Sequence, residues 1–159
     1  MQQYIGVKIV RAEPATDEEV RRGVDRPDML GPKQKPLEPR SGFRVVYPDG
    51  YESWSPKESF EKAYRPTDGM TFGLALEALK KGQKVARDGW NGKGMFVVYQ
   101  KAYPQGINCN GQTADAWGMK KGDLFRCEPY LQIKMANGSH AMWVPSINDC
   151  LAEDWKIVQ

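Results

Sequence analysis

Short stretches of alternating apolar and polar residues open the chain and predict β-strands. The first covers residues 4–10, and a hairpin is predicted where the apolar runs 43–47 and 51–54 flank the turn 48–50. Between these strands, residues 12–42 hold five prolines among charged residues and few apolar ones. That composition is typical of a long loop.

A helix is predicted directly after this hairpin. Ser55 can cap its first turn, Pro56 suits the first helical position and Glu58 completes a capping box. Pro66 has no amide hydrogen and prevents the helix from continuing past Arg65. Residues 1–66 are therefore predicted to form a small β-β-β-α unit with a proline-rich loop.

The second part of the chain, residues 67–159, begins with a helical pattern. Thr71 suits the N-cap position, and Gly82 suits the end of the helix. Apolar residues recur between them at i, i+3, i+4 and i+7, namely Phe72, Ala75, Leu76 and Leu79. This periodicity predicts an amphipathic helix with one face against a core.

The rest of the chain predicts an antiparallel sheet. Strands are expected over 84–87, 95–99, 130–135, 139–144 and 155–158. Residues 102–129 are polar and irregular, and their pattern assigns no element. The predicted fold class is α+β, with a small N-terminal β-hairpin plus helix unit followed by one helix packed on a twisted antiparallel sheet.

The Asn-Gly dipeptide at 137–138 predicts a tight hairpin, because it favours the two-residue turn that joins antiparallel strands. With these two residues as the loop, Trp143 pairs with Gln132 and lies on a polar face of the hairpin. The same register places His140 on the apolar face, which is expected to meet the core.

Composition and charge exclude several classes of protein. A formal net charge of +3 is too small for a general nucleic-acid binder, so no DNA or RNA partner is expected. No apolar run has the length of a membrane span and the N-terminus lacks a signal-peptide pattern, so we expect a cytoplasmic protein without a membrane partner. Three widely spaced cysteines and one histidine argue against a zinc site or disulfide framework, and no metal or cofactor is expected.

Two tryptophans are candidates for stacking on a nucleobase. An indole among polar groups, as predicted for Trp143, contributes about 1–3 kcal/mol per stacked base. The alternative is that Trp143 covers the sheet against the helix or a neighbouring subunit. Trp90 lies in a glycine-rich turn between Arg87 and Lys93, where amides and cations can bind an anion; the alternative is a plain hairpin turn with a packed tryptophan.

Ser146 and Asp149 have the spacing of a capping box for a short helical turn. The start of that turn can also bind a phosphate, and Asp149 can accept hydrogen bonds from ribose hydroxyls. The sequence contains no GxSxG, HExxH, EF-hand or kinase signature. We therefore expect no catalytic residues and no enzymatic activity.

Three segments of the second unit resemble the Thoeris anti-defence 2 family. They are Met-Thr-Phe-Gly-Leu-Ala-Leu-Glu-Ala-Leu at 70–79, Val-Ala-Arg-Asp-Gly-Trp-Asn-Gly-Lys-Gly-Met-Phe at 85–96, and Met-Trp-Val-Pro-Ser at 142–146 with Asp149 and Asp154-Trp155 after it. The resemblance implies a phage protein of the infected host's cytoplasm. It would capture glycocyclic ADP-ribose, a signal made by the TIR-domain proteins of bacterial Thoeris defence.

The resemblance also implies partners and candidate residues. Family members form homotetramers, as dimers of dimers, with ligand pockets between subunits, and some hold cyclic dinucleotides of CBASS defence at a separate site. The implied ligand-binding residues are Trp90, Trp143, Phe72, Asn91, Ser146 and Asp149, with Arg87 as the adjacent basic group. Residues 1–65 resemble a small domain common in phage proteins. An enzyme that degrades the nucleotide and a phage structural or interaction module are the two other hypotheses.

Overall fold

Antiparallel strands and short helices alternate along the residues that the computed structural model describes, 7–23 and 38–159. The chain divides into two units between Pro66 and Thr67. Each unit combines helices with an antiparallel sheet, which confirms the predicted α+β class. Within the described ranges, no helix has the length and apolar character needed to cross a membrane.

The first unit is a three-stranded sheet with two short helices. Its elements are β1 (Arg11–Thr16), α1 (Asp17–Gly23), β2 (Ser41–Val46), β3 (Glu52–Pro56) and α2 (Lys57–Ala63). The pairing of β2 with β3 confirms the predicted hairpin. Phe43 of β2 stacks on Phe60 of α2 at a ring-centroid distance of 4.3 Å, and Val45 is buried in the same strand.

Two predictions for the first unit are wrong. Residues 7–10, the described part of the strand predicted over 4–10, are irregular. The loop predicted over 12–42 instead contains β1 and α1, whereas its residues 24–37, like residues 4–6, lie outside the described part of the chain. Pro14 is accommodated in β1 because that strand lies at the edge of the sheet.

The start of α1 carries a capping box that the proline-rich composition concealed. The Thr16 amide donates to the Glu19 carboxylate at 2.7 Å, and the Glu19 amide donates to the Thr16 hydroxyl at 3.2 Å. The capping box predicted at Ser55 is not formed. Ser55 remains in β3 opposite Phe43, so α2 begins one residue later, with Pro56 at its N-cap.

The second unit is built on a five-stranded sheet. Its elements are α3 (Phe72–Lys80), β4 (Lys84–Arg87), β5 (Phe96–Gln100), β6 (Tyr103–Asn108), α4 (Gly111–Trp117), β7 (Leu124–Cys127), β8 (Tyr130–Lys134), β9 (His140–Trp143), α5 (Ile147–Cys150) and β10 (Trp155–Val158). The large sheet has the strand order β10-β4-β5-β8-β9, and β6 pairs separately with β7.

Helix α3 covers one face of the large sheet and forms the core with it. Thr71 occupies its N-cap and Gly82, with a φ of 83°, follows its end, as the sequence predicts. The largest fully buried side chains described in this unit are Leu79 of α3, Val85 of β4, Val97 of β5 and Trp155 of β10. Burying each of them contributes about 1.5–3 kcal/mol, so this core holds β10 and β4 together at one side of the sheet.

Residues 102–129, left without an element by the sequence pattern, contain β6, α4 and β7. Asn110 caps α4, since its side chain accepts a hydrogen bond from the Thr113 amide at 2.9 Å. Gly118 ends the helix in the left-handed conformation. The β6–β7 ladder is interrupted between Tyr103 and Ile107, which explains why no regular alternation is visible in the sequence.

The hairpin of β8 and β9 has a different register from the predicted one. The Met135 amide donates to the Ser139 carbonyl at 2.8 Å, and Gly138 adopts a φ of 87°, so the loop contains three residues instead of two. Trp143 consequently pairs with Leu131 instead of Gln132. A one-residue shift exchanges the two faces of a strand, so Trp143 joins the core face and His140 is exposed.

Candidate functional site

Four aromatic side chains meet at one end of the core. Trp155 is fully buried, and its ring lies 5.4 Å from Trp90, 6.0 Å from Trp143 and 5.5 Å from Phe72 between centroids. Trp90 and Trp143 lie 5.9 Å apart with their planes inclined at 75°, and both are half-buried. The four rings, called the aromatic cluster below, therefore place two partly exposed indoles on a buried third.

Each ring reaches the cluster from a different part of the fold. Phe72 is the first residue of α3, Trp143 is the last residue of β9 and Trp155 is the first residue of β10. Trp90 comes from the connection between β4 and β5. The cluster includes Trp143 only because the three-residue hairpin loop turns its side chain to the face that α3 covers.

Asp149 connects the aromatic cluster to Arg87 and Ser146 through hydrogen bonds. Its Oδ1 accepts hydrogen bonds from Arg87 Nη1 at 2.9 Å and from Trp90 Nε1 at 3.3 Å. Its Oδ2 accepts from the Ser146 amide at 3.0 Å and the Ser146 hydroxyl at 2.7 Å. The backbone carbonyl of Asp149 accepts from Trp155 Nε1 at 3.0 Å, so one residue accepts the indole N–H groups of Trp90 and Trp155, two of the three tryptophans in the cluster.

These contacts keep Asp149 ionised. Burial by itself would raise the pKa of Asp149, but the hydrogen bonds from Ser146, Arg87 and Trp90 outweigh burial and lower that pKa to about 2. The predicted capping box of Ser146 and Asp149 is confirmed at the start of α5. The carboxylate thus accepts four hydrogen bonds, all of them from Ser146, Arg87 and Trp90.

Arg87 lies between two carboxylates. Its Nε donates to Asp154 Oδ1 at 2.8 Å, and its Nη1 donates to Asp149 Oδ1. The pKa of Arg87 is raised by Asp154 first and Asp149 second, and the pKa of Asp154 is lowered chiefly by Arg87. One cation with two anions gives this group a net charge of −1, so the charge of Arg87 is neutralised within the protein.

The turn after Trp90 is exposed. Asn91 and Lys93 lie at the surface, and Gly94 has a φ of 69°. A Cβ atom at Gly92 would overlap the Met95 sulfur and lie 3.1 Å from the Ala136 Cβ, so a larger residue there would require the Met95 side chain to move. Asn91 directly follows Trp90 of the aromatic cluster in the sequence and is accessible to solvent.

Sequence reasoning did not include Asp154 and Trp155, at the start of the C-terminal strand region, among the candidate site residues. Trp155 carries the most buried indole, and Asp154 binds Arg87 and the Gly89 amide. The available signal was the Asp-Trp pair at the start of the last predicted strand. Across the described ranges, no group of three or more His, Cys, Asp or Glu side chains is arranged to hold a metal ion.

The fold and the site define a small α+β domain that presents a half-buried aromatic cluster backed by an ion-pair network. The profile of a family described as "Thoeris anti-defense 2-like domain" matches residues 70–158, the part of the chain that builds the whole site. A Bacillus phage SP01 protein named "Thoeris anti-defense 2" is 41% identical over 93 residues, covering 56% of this chain and 94% of that protein. The chain belongs to the Thoeris anti-defence 2 family, and this membership supports a role in phage anti-defence.

Proposed function

We propose that this protein binds and sequesters a cyclic ADP-ribose-type immune signal, glycocyclic ADP-ribose, and leaves it chemically unchanged. The observation that carries the proposal is the pair of half-buried indoles, Trp90 and Trp143, on the buried Trp155. An aromatic face that is held in place and partly open to solvent suits base stacking, at about 1–3 kcal/mol per base. Preorganisation by a rigid core lowers the entropic cost of binding.

The phosphates of such a ligand need donors other than Arg87, whose charge is neutralised by two carboxylates. The exposed turn of residues 91–94 supplies them in this proposal, through its backbone amides and Lys93. Asn91 in the same turn is available for a ribose hydroxyl. Ser146 and Asp149 then act by holding Trp90 in place, because their own hydrogen bonds are made to each other and to Trp90.

The state of the carboxylates supports sequestration without turnover. A general base works best with a pKa near the operating pH, whereas hydrogen bonds from Ser146 and Arg87 lower the pKa of Asp149, and hydrogen bonds from Arg87 and the Gly89 amide lower the pKa of Asp154. Both carboxylates are occupied by hydrogen bonds on the protein side. Sequestration needs affinity alone, and nanomolar binding corresponds to about −12 kcal/mol.

A capture-and-release experiment tests this function. Protein in excess is expected to remove glycocyclic ADP-ribose from an ultrafiltrate, and heating the retained fraction should return the ligand intact by mass. The variant Trp90→Ala/Trp143→Ala should retain at least tenfold less ligand, since each indole contributes on the order of 1 kcal/mol or more. Trp117→Ala is the matched control, because Trp117 is 66% exposed and lies on α4, outside the aromatic cluster.

Two results would contradict the proposal. Recovery of a cleaved product favours a degrading enzyme, and a ligand that passes the filter unretained favours a structural or interaction module. Cyclic dinucleotides of CBASS defence form a second arm of the same experiment, so a protein that sequesters them as well or instead is identified directly.

We further propose that the protein acts as a homo-oligomer, a dimer of dimers, through an apolar surface next to the aromatic cluster. Strand β9 lies at the edge of the large sheet, and large apolar side chains are exposed on it and just after it. They are Met142 at 74%, Val144 at 85%, Ile147 at 73% and Leu151 at 77%. Apolar side chains this exposed and this close in sequence mark a surface that a partner covers, and an edge strand offers backbone groups for pairing.

The double variant Val144→Lys/Leu151→Lys is expected to break the contacts made through this surface and to lower the mass to that of a dimer or a monomer, because two buried charges would face each other across the interface. Light scattering after gel filtration measures the mass, and circular dichroism checks the fold. Leu124→Lys is the control, since Leu124 is also exposed, at 61%, but lies on β7. A monomeric wild-type protein, or equal loss of mass in the control, would overturn this assembly.

A further inference from the structure

We propose that Asp154 is a positioning residue of the ligand site, which sets the orientation of Trp90 without touching the ligand. This inference deepens the proposed function and rests on it for the identity of the ligand. Asp154 directly precedes β10 and its first residue, the buried Trp155. Asp154 binds the Arg87 guanidinium and the Gly89 amide, which both precede Trp90 in the chain. It therefore influences the position of that indole through two separate connections.

The first connection runs through the backbone. Asp154 Oδ2 accepts a hydrogen bond from the Gly89 amide at 2.8 Å, one residue before Trp90. A Cβ atom at position 89 would lie 2.9 Å from the same oxygen, so only glycine allows the carboxylate to approach this closely. The carboxylate therefore fixes the backbone from which the Trp90 side chain projects.

The second connection runs through side chains. Asp154 Oδ1 holds Arg87 Nε at 2.8 Å, and the other side of the guanidinium holds Asp149 Oδ1 at 2.9 Å. The same Oδ1 of Asp149 accepts the Trp90 indole N–H at 3.3 Å. Because a guanidinium is planar and its donors are fixed relative to one another, the position of Asp154 determines how Arg87 meets the oxygen that holds Trp90.

Removing the charge of Asp154 should therefore weaken two constraints on Trp90: the position of its backbone and the hydrogen bond of its indole N–H. An asparagine at position 154 can accept one of the two hydrogen bonds but cannot pair with Arg87 as an anion. Asp149 is then the one carboxylate partner left to Arg87. Its Oδ1, which also accepts the Trp90 indole N–H, shifts towards Arg87. We expect the Trp90 ring to sample several orientations, which would weaken stacking although the indole itself is unchanged.

The test compares Asp154→Asn with Asp88→Asn in the full chain. Asp88 also lies between β4 and Trp90 and pairs with a cation of β10, Lys156, so both substitutions remove one paired carboxylate from the same region. The readout is the indole N–H signal of Trp90 in ¹H–¹⁵N spectra of the ligand-free protein, assigned with Trp90→Phe. Asp154→Asn should shift or broaden this signal and weaken glycocyclic ADP-ribose binding about tenfold, whereas Asp88→Asn should leave both within twofold of wild type.

A conservative variant extends the test. Asp154→Glu keeps the charge but lengthens the side chain, so partial recovery of the Trp90 signal and of affinity is expected relative to Asp154→Asn. An unchanged Trp90 signal in Asp154→Asn, or an equal change in Asp88→Asn, would overturn the inference. If the wild type does not bind the nucleotide while the Trp90 signal still moves in Asp154→Asn, the proposed ligand is wrong and the positioning of Trp90 by Asp154 stands.

Discussion

Asp149→Ala is expected to destabilise the second unit by about 3–5 kcal/mol, the range for breaking a buried ion pair by removing one partner. The substitution leaves Arg87 with one carboxylate, removes the acceptor of the Trp90 indole N–H and abolishes the capping box with Ser146. Urea unfolding followed by tryptophan fluorescence measures the loss. The fluorescence reports mainly this unit, because four of the five tryptophans, all except Trp54, follow residue 66.

Asp115→Ala is the matched control, since Asp115 is an exposed carboxylate on α4 and its removal should change stability by less than about 0.5 kcal/mol.

Acid titration gives a second check. The pKa of Asp149 is lowered from its ordinary value of 3.8 to about 2, so its contribution to stability is present above pH 4 and is lost as the pH falls through 2. Wild type should lose on the order of 2 kcal/mol across this interval, and Asp149→Ala should lose measurably less. Equal acid sensitivity in the two proteins would contradict the role given to Asp149.

Local signals in the sequence were sufficient for much of the second unit. Thr71, Gly82 and the apolar spacing between them define α3 with its ends, and Ser146 with Asp149 defines the turn at α5. These predictions succeed because caps and helical periodicity depend on residues three or four positions apart. The prediction for the first unit is wrong where two local signals compete. The prolines and charges after Arg11 predict a loop, whereas the capping box of Thr16 and Glu19 starts a helix.

The hairpin register shows where local reasoning fails by a single residue. Asn137-Gly138 correctly marks the turn, but a third loop residue moves Trp143 from the predicted polar face to the core face. Ala136 gives no sign of this choice, because two-residue and three-residue loops both accept a glycine with positive φ. The packing of Trp143 on Trp155, a contact between two strands that are not neighbours in the sheet, explains why the longer loop is adopted.

The structure brings three of the predicted ligand-binding residues, Phe72, Trp90 and Trp143, together in the aromatic cluster. Their ligand-binding role stays a prediction, and the hydrogen bonds around them were not predicted. Arg87 was expected to serve a phosphate, yet its partners are 62 and 67 residues away in the sequence. Contacts at such separations are set by the order of strands in the sheet, where β10 pairs with β4, and no local pattern encodes that order.

Trp155→Ala is expected to have a comparably large effect on stability, with a loss of about 3–5 kcal/mol, as for other buried aromatic residues truncated to alanine. Trp155 is fully buried, its ring contacts three other aromatic rings, and its indole N–H donates to the Asp149 carbonyl. For a unit of this size, such a loss lowers the melting temperature by well over 10 °C, which calorimetry measures. Trp117→Ala, at a 66% exposed position, should cost less than about 1 kcal/mol.

Substitutions at Trp155 and at Trp143 distinguish a residue that stabilises the fold from one that contacts the ligand. Trp143 is half-buried at the rim of the cluster, so Trp143→Ala should leave the protein folded while it removes a stacking surface and lowers ligand affinity at least tenfold. Trp155→Phe keeps an apolar ring in the core but removes the N–H that binds the Asp149 carbonyl. The ligand affinity of this variant should fall only through the displacement of Asp149 and Trp90, and so less than in Trp143→Ala. If Trp143→Ala binds as tightly as wild type while Trp155→Phe does not, the ligand contacts a different surface and the rim indoles serve only the fold.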